Sequence, residues 1–437
     1  MKYFLVTYGC QMNISDSERV AAVLEELGFE KTENEEEANI LGVVACSVRQ
    51  TSINRVYGRI VAWNERRDRE QVITFVSGCI LERDSKKFAK LFDLQFSIED
   101  LPKLPDLLST YGVPFVPHEG LASGPDRTGY WKIAPHCEST IQAWIPIQNG
   151  CNRFCAYCAV PYTRGREVSR DSQEILDEIS GLLERGYKRF TLLGQNVNSY
   201  GRDREGSLPV FARLLDDAAS IIEKSGHEAL IHFTSPHPSD MGREVFEVMR
   251  DRKAVARQVH LPLQSGDDAV LARMRRSYTL ARYREIVGWI RDLVPDATLF
   301  TDIIVGFPGE TEAEFENTRR AMEEFAFDMA FVAMYSPRPG TTGSRMKDDV
   351  PQAEKKRRLH VLAELLKEIA GQRKAGMVGT TQRVLVDGLV SPGLWSARTS
   401  GLLPVHVAGP EGALATGQFA DVRITGSGSM SLAAACI

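Results

Sequence analysis

Short apolar runs alternate with longer amphipathic stretches from the start of the chain. Tyr3–Thr7 is the first run, followed by Gly9-Cys10. Ser15–Leu27 then places its apolar residues at helical spacing, with Asp16 and Glu18 in the first turn and Gly28 as a stop. Ala38–Ala45 is a second run ending at Cys46, and an Arg-rich helical segment reaches about Arg67. Gln71–Val76 is a third run, ending at Gly78-Cys79. Strand, helix, strand, helix, strand over residues 1–117 predicts a parallel α/β domain.

Residues 118–136 carry Gly120, Ser123-Gly-Pro125 and Gly129, and so predict a linker. From 137 to 369 six apolar runs alternate with helical segments such as Ser172–Leu183 and Glu310–Glu324. The runs are Ala143–Ile147, Arg189–Leu193, Leu230–Phe233, Gln258–Leu263, Leu299–Val305 and Met329–Tyr335. Six βα units predict an incomplete TIM-like barrel, with its chemistry at the carboxyl ends of the strands. A basic amphipathic helix, Lys355–Lys374, leads into a third pattern over 370–437. There Arg383–Asp387, Leu403–Val407 and Ala420–Thr425 are short β-rich runs between Gly and Pro, predicting a small β-barrel of a kind that often binds oligonucleotides. The predicted fold is therefore α/β: a flavodoxin-like N-terminal domain, a (βα)6 barrel and a C-terminal β-barrel.

The cysteines give this frame its chemistry. Cys151-Asn-Arg-Phe-Cys155-Ala-Tyr-Cys158 places three thiols at C-x3-C-x2-C spacing just after the first barrel run. Three thiolates on one loop can hold three irons of a [4Fe-4S] cube and leave the fourth open. A structural zinc site wants four protein ligands, and only His136 and Cys137 stand nearby to complete one. Cys10, Cys46 and Cys79 each follow a predicted strand of the N-terminal sheet. The carboxyl ends of parallel strands line one edge, so these three are expected to converge into a second three-thiol site. Gly194-Gln195-Asn196, Ser235, Gln264 and Gly306 mark the same end of the barrel strands, and the Tyr157 ring can pack on an adenine. Arg164, Arg166 and Arg170 crowd the segment after the cluster loop and are candidates for RNA phosphates.

The remaining bulk properties narrow the picture. With 437 residues, 43% hydrophobic and 25% charged, the chain reads as an ordinary soluble protein. A net charge of −5 means that any nucleic acid is held by local basic patches. Eight cysteines are too few and too scattered for a disulfide framework, which fits reduced thiols in a cytoplasm. No apolar stretch approaches a membrane span.

The C-x3-C-x2-C loop with its aromatic resembles the signature of the radical S-adenosylmethionine (SAM) enzymes. Over nearly the whole chain the sequence is similar to the radical-SAM methylthiotransferases. The resemblance rests on Thr7-Tyr-Gly-Cys10-Gln-Met-Asn13 with Asp16-Ser-Glu18, on Cys46-Ser-Val-Arg49, and on Gly78-Cys79. It continues in Gly150-Cys151-Asn-Arg-Phe-Cys155, Pro161-Tyr-Thr-Arg-Gly-Arg-Glu167 and Gly194-Gln-Asn-Val-Asn-Ser-Tyr-Gly201. His260-Leu-Pro-Leu-Gln-Ser-Gly266 and Tyr335-Ser-Pro-Arg-Pro-Gly340 complete it. Within the family it looks most like the tRNA branch that makes 2-methylthio-N6-isopentenyladenosine. That resemblance implies a methylthiotransferase N-terminal domain, a radical-SAM core and a C-terminal TRAM domain. It implies two [4Fe-4S] clusters, on Cys10, Cys46 and Cys79 and on Cys151, Cys155 and Cys158. One SAM would methylate sulfur at the first, and a second SAM at the other would yield the radical that takes hydrogen from carbon 2 of the adenine. Cofactor contacts would come from Tyr157, Gly194, Gln195, Asn196, Ser235, Gln264 and Gly306, and RNA contacts from Arg164, Arg166, Arg170 and Arg398. No catalytic side chain is assigned beyond the cluster ligands.

The implied partners are a tRNA anticodon stem-loop and a reductant such as flavodoxin or ferredoxin, with the enzyme a monomer. Rival readings are methylthiolation of threonylcarbamoyl adenosine or of a ribosomal-protein aspartate, and a non-catalytic Fe–S or zinc RNA-binding protein. The chain departs from the family at Val44-Ala45, where Asn-Thr is usual, and at Ile80-Leu81, where Met/Leu-Ala is usual. Ser396-Ala-Arg398-Thr-Ser-Gly also lacks the usual Gly before Arg and the Asn a few residues later.

Overall fold

The computed structural model describes all residues except 49, 112–128, 205, 207 and 209. The chain divides into two compact units. The first holds residues 1–138, 149–152 and 158–170; the second holds 139–148, 153–157 and 171–437. Residues 118–128 of the expected linker lie outside the described residues. The rest begins with a 3-10 turn, Gly129–Lys132, whose Tyr130 and Trp131 are buried in the first unit's core.

In the first unit, β1 (Lys2–Tyr8), α1 (Gln11–Glu26), β2 (Glu30–Lys31), β3 (Ile40–Cys46), α2 (Gln50–Arg67), β4 (Ile73–Cys79), α3 (Glu82–Phe88) and β5 (Leu94–Gln95) precede a short α4 (Leu104–Ser109). The strands form a parallel sheet in the order β2-β1-β3-β4-β5. All seven residues of β3 are buried, because both faces of this central strand are covered. Ile40 and Val44 pack with Val20, Val23 and Leu24 of α1, while Leu41, Val43 and Ala45 pack with Ile53, Val56 and Ile60 of α2. The order 2-1-3-4-5 puts a switch point between β1 and β3, where open α/β sheets form a crevice at their carboxyl edge.

Gly42 lies opposite Phe75 in this sheet. A Cβ at residue 42 would stand 2.1 Å from the Phe75 ring, so the aromatic uses the space that glycine leaves. Gly42→Ala is expected to lower unfolding free energy by about 1–3 kcal/mol, the usual cost of overpacking. Urea denaturation checks this, and Phe75→Leu in the same chain should recover part of the loss.

In the second unit, β6 (Gln142–Pro146) opens the barrel. A short β7 (Gln148–Asn149) follows in sequence, then α5 (Val160–Thr163) and β8 (Val168–Ser169), which belong to the first unit. Then come α6 (Ser172–Glu184), β9 (Arg189–Leu193), α7 (Phe211–Lys224), β10 (Leu230–Phe233), α8 (Arg243–Asp251) and β11 (Gln258–His260). They are followed by α9 (Asp268–Arg273), α10 (Leu280–Leu293), β12 (Thr298–Val305), α11 (Glu312–Phe325) and β13 (Met329–Met334). β6, β9 and β10 pair in parallel, as do β11, β12 and β13, and an isolated bridge pairs Ile231 of β10 with Val255, just before β11. These are the six units expected of an incomplete barrel. β11 stops three residues short of the expected Leu263, just before Pro262, which has no N–H to donate.

After α12 (Gln352–Ala375), β14 (Thr381–Ser391), β15 (Leu394–Thr399), β16 (Pro404–Ala408), β17 (Phe419–Ser427) and β18 (Leu432–Cys436) close into a barrel in the order β14-β15-β16-β18-β17. Its interior holds Val384, Val386, Trp395, Val405, Val407, Val422 and Ile424. Among the described residues, no helix is long and apolar enough to cross a membrane.

Candidate iron–sulfur and SAM site

The carboxyl edge of the first sheet gathers three thiols. Cys46 and Cys79 are the last residues of β3 and β4 and face each other in register. Cys10 lies two residues past β1, as the N-cap of α1. All three are free cysteines, and Asn13 in the first turn of α1 joins them. Its Oδ1 accepts from the Cys10 thiol at 3.4 Å, while its Nδ2 donates to the Ala45 carbonyl at 3.1 Å and lies 3.9 Å from Cys79 Sγ. Cys79 donates a hydrogen bond to Cys46, which draws Cys46 below the ordinary thiol pKa and pushes Cys79 above it; burial adds to the rise of Cys79 and the Arg164 cation opposes it. Burial also pushes Cys10 up.

Arg164 sits inside this group. It was a candidate for phosphate binding, but it is buried. Its Nε donates to Cys79 Sγ at 2.8 Å, Nη1 donates to Asn149 Oδ1 at 3.1 Å, and Nη2 pairs with Asp16. Arg170 is buried too, with Nη2 donating to the Trp131 carbonyl at 3.3 Å. A buried guanidinium cannot meet a phosphate from solvent, which corrects both assignments. Arg166 is exposed, and Arg398 is half-exposed beside Asp387 at 3.2 Å. Gly78, Asn149 and Arg164 line a cavity of about 280 Å³ with Ser97, Ile98 and Glu99.

Among the described residues, no three His, Cys, Asp or Glu side chains close on a single metal ion. A cube asks for less convergence, since each thiolate takes a separate iron. Three free thiols, free volume beside them and a buried cation against one of them fit an anionic iron–sulfur group. His136, the other nearby zinc-ligand candidate, has its Nδ1 2.7 Å from Glu25 Oε2.

Of the second triplet, Cys151 and Cys158 belong to the first unit and Cys155 to the second. The Cys151 N–H donates to the Gly165 carbonyl at 3.1 Å. Gly150 before it has φ +82°, and a Cβ there would stand 2.1 Å from the Arg166 carbonyl oxygen, so only glycine fits. Cys155 is buried, and Arg276 Nη1 donates to its Sγ at 3.4 Å. Arg276 also donates to the Pro262 carbonyl at 3.2 Å, and its guanidinium lies 5.1 Å from the centre of the Tyr278 ring. Nothing in the sequence motifs singled out Arg276. Its signal is the buried environment alone.

The rim of the second unit is tied together by Asp240. This buried carboxylate accepts from Arg153 Nε at 2.9 Å and from Asn196 Nδ2 at 2.9 Å, and it pairs with Arg202. The cluster loop and the Gly194-Gln195-Asn196 turn after β9 therefore share one anchor. Asn196 Oδ1 is buried without a hydrogen-bond partner, and so is His237 Nε2. The Ser239 N–H donates to His237 Nδ1 at 3.3 Å, which assigns the proton to Nε2. An orphan acceptor and an orphan donor on one rim suit the ammonium and carboxylate of an amino acid.

Phe154, Ser235 and Gln264 hold left-handed backbone at φ +48°, +59° and +69°, although none is glycine. Strain of this kind gathers at ligand sites. Gln264 is buried with its backbone paired to β12, Ser235 is exposed, and Gln195 is half-buried. Tyr157 packs beside Ala156, Val270, Met274 and Phe307. Gly194 lies against the Gln148 side chain, and the space a Gly306 side chain would need is filled by the stem of Lys355.

Burial lowers the pKa of His232 to about 3 and of His237 to about 2, with nearby arginines adding to both effects. Both are neutral at physiological pH. Unfolded, each would take up a proton below about pH 6.5, so stability falls as pH drops from there toward 3. The expected slope is about 1.4 kcal/mol per pH unit for each histidine. Melting curves between pH 7 and 4 check this, and His232→Gln should flatten the slope.

Comparison with known proteins matches this architecture. Residues 145–322 match the Radical SAM superfamily, residues 2–98 the Uncharacterized protein family UPF0004, and residues 376–435 the TRAM domain. The chain is 39% identical over 394 residues to a tRNA-2-methylthio-N(6)-dimethylallyladenosine synthase from Carboxydothermus hydrogenoformans, covering 88% of each protein. It is 38% identical over 442 residues to the synthase of that name from Chromobacterium violaceum, covering 99% of this chain and 98% of the relative. Among solved structures it resembles the radical SAM methyltransferase TsrM from Kitasatospora setae, with TM-score 0.56 and 14% identity over 90% of this chain and 78% of that one. The radical enzyme OxsB is similar at TM-score 0.51 and 12% identity, over 82% of this chain and 56% of that one. At those identities the likeness is one of fold.

Proposed function

This chain belongs to the tRNA-2-methylthio-N(6)-dimethylallyladenosine synthase family, and from that premise we propose how its residues serve the reaction. It is a radical-SAM methylthiotransferase. Its substrate is N6-isopentenyladenosine (the dimethylallyl compound of its relatives' names) at tRNA position 37, and its product is the 2-methylthio derivative. The cofactors are [4Fe-4S] clusters and SAM, which when bound supply homolytic chemistry for a C–H that no general base can ionise.

Cys151, Cys155 and Cys158 would hold one cluster, and Cys10, Cys46 and Cys79 the other. Arg276 would hold Cys155 in place and balance its thiolate charge. Asn196 Oδ1 would accept from the SAM ammonium and His237 Nε2 would donate to its carboxylate, with Tyr157 beside the adenine. Arg166 and Arg398 would meet RNA phosphates. A low-potential reductant of the flavodoxin or ferredoxin class, a monomeric state and a cytoplasmic location belong to the same reading. An anticodon loop suits such an enzyme because its unpaired bases can be splayed out and stacked.

The observation that carries the reading is the trio of free thiols at the carboxyl edge of the N-terminal sheet, held by Asn13 and Arg164, in a chain that also has the C-x3-C-x2-C loop. A SAM-cleaving centre alone needs only the loop. Nucleoside mass spectrometry of tRNA from cells lacking the gene tests it. Loss of 2-methylthio-N6-isopentenyladenosine, with its unthiolated precursor accumulating, is expected. Unchanged methylthio content would overturn it.

A further inference from the structure

We propose that Arg164 is the positioning residue of the N-terminal iron–sulfur site: its guanidinium orients Cys79 and sets the electronic balance of the cluster held there. The inference rests on the assignment of Cys10, Cys46 and Cys79 as ligands. It goes further in giving one thiolate a dedicated cationic partner.

Three observations carry it. Arg164 is buried, and its three donor nitrogens point in three directions: Nε to Cys79 Sγ at 2.8 Å, Nη1 to Asn149 Oδ1, and Nη2 to Asp16. The planar fork therefore fixes the donor aimed at sulfur by anchoring the other two arms. Asn149 is itself held, with its Nδ2 donating to Glu99 Oε1 at 3.2 Å. Finally, the three thiols are not equivalent. Cys10 bonds to an uncharged amide, whereas Cys79 meets a full positive charge.

A cation and an N–H donor on a ligand sulfur both stabilise the more negatively charged, reduced cluster. Such outer contacts are the ordinary means by which a protein sets cluster potential and ligand orientation. Asp16 alone does not account for this geometry, since a bidentate pair with Asp16 would satisfy that carboxylate better and would leave sulfur without a donor.

The experiment uses the full chain with Cys151, Cys155 and Cys158 replaced by alanine, so that only the N-terminal cluster is reconstituted. Iron content and EPR-monitored redox titration are read with Arg164 present and in Arg164→Met. Full iron with a midpoint potential shifted to more negative values is expected in Arg164→Met. Full iron with an unchanged midpoint would overturn the proposal. A folded Arg164→Met chain that no longer retains iron supports it, because positioning is then lost outright. If Arg164→Met does not fold, Arg164→Lys decides: charge is kept but the Nε donor is gone. Its iron–thiolate stretching bands in resonance Raman are expected to shift, and bands identical to the parent's would overturn the proposal. A parent chain that binds no iron would instead sink the assignment of the three ligands, which separates the two failures.

Discussion

Cys155→Ala is expected to abolish SAM cleavage and to halve the iron of the reconstituted enzyme, from about eight to about four atoms per chain. Cys155 is buried, and its neighbours are organised around its sulfur. Arg276 donates to it at 3.4 Å, and the next residue, Ala156, is clamped from both sides. The Ala156 N–H donates to the Met274 carbonyl at 2.8 Å, and its carbonyl accepts from the Gly343 N–H at 2.6 Å. Alanine keeps these backbone bonds, so the loop should keep its course while losing one of the three proposed ligands. With two thiolates left, an open-iron cube has too few protein ligands to persist at this site. The measurements are iron content and 5′-deoxyadenosine formed under a strong reductant. Deoxyadenosine at the level of protein-free controls is expected, with the N-terminal cluster's spectrum intact. Retained cleavage would remove Cys155 from the ligand set. Stability should fall as well, because the substitution leaves Arg276 buried with one acceptor fewer, at a cost of about 1–3 kcal/mol.

The parallel sheet and the barrel were legible because burial on both faces leaves an unmistakable mark: β3 is seven consecutive buried residues, and β9 and β10 match their apolar runs to the residue. The gathering of Cys10, Cys46 and Cys79 followed from topology, since equivalent places in successive strand-helix units must share one edge. The exact seating did not follow. Cys46 and Cys79 end their strands rather than following them, and Cys10 is a helix cap. β15 and β18 were missed in the C-terminal barrel. β18 reads Leu-Ala-Ala-Ala-Cys, and alanine has little intrinsic preference for strands, so only pairing with β16 and β17 makes it one. Arg164 and Arg170 show the sharper limit. Three arginines in seven residues look alike in sequence, yet Arg166 is exposed while Arg164 finds its carboxylate partner on α1, 148 residues away. A solvated cation and a buried one differ only in long-range contacts that no local pattern encodes.

Cys46→Ala and Cys79→Ala are expected to separate the two halves of the reaction. Each should retain SAM cleavage at the Cys151, Cys155 and Cys158 loop and lose 2-methylthio product, because in the proposed reaction the sulfur would be delivered from the N-terminal site. The two variants should differ in stability. The Cys46 backbone N–H is held by Ser52 Oγ at 3.3 Å, which alanine preserves. Cys79 is the acceptor for Arg164 Nε, so Cys79→Ala leaves a buried guanidinium donor unpaired, at about 1–3 kcal/mol. The apo forms should therefore melt in the order wild type, Cys46→Ala, Cys79→Ala, with the last lowest. Product is read by nucleoside mass spectrometry on tRNA that carries isopentenyladenosine, and cleavage by deoxyadenosine release. Methylthio product from either variant at the wild-type level would mean that sulfur is supplied without the N-terminal thiols. Joint loss of product and cleavage would mean that the thiols support the fold of the radical centre rather than the sulfur step.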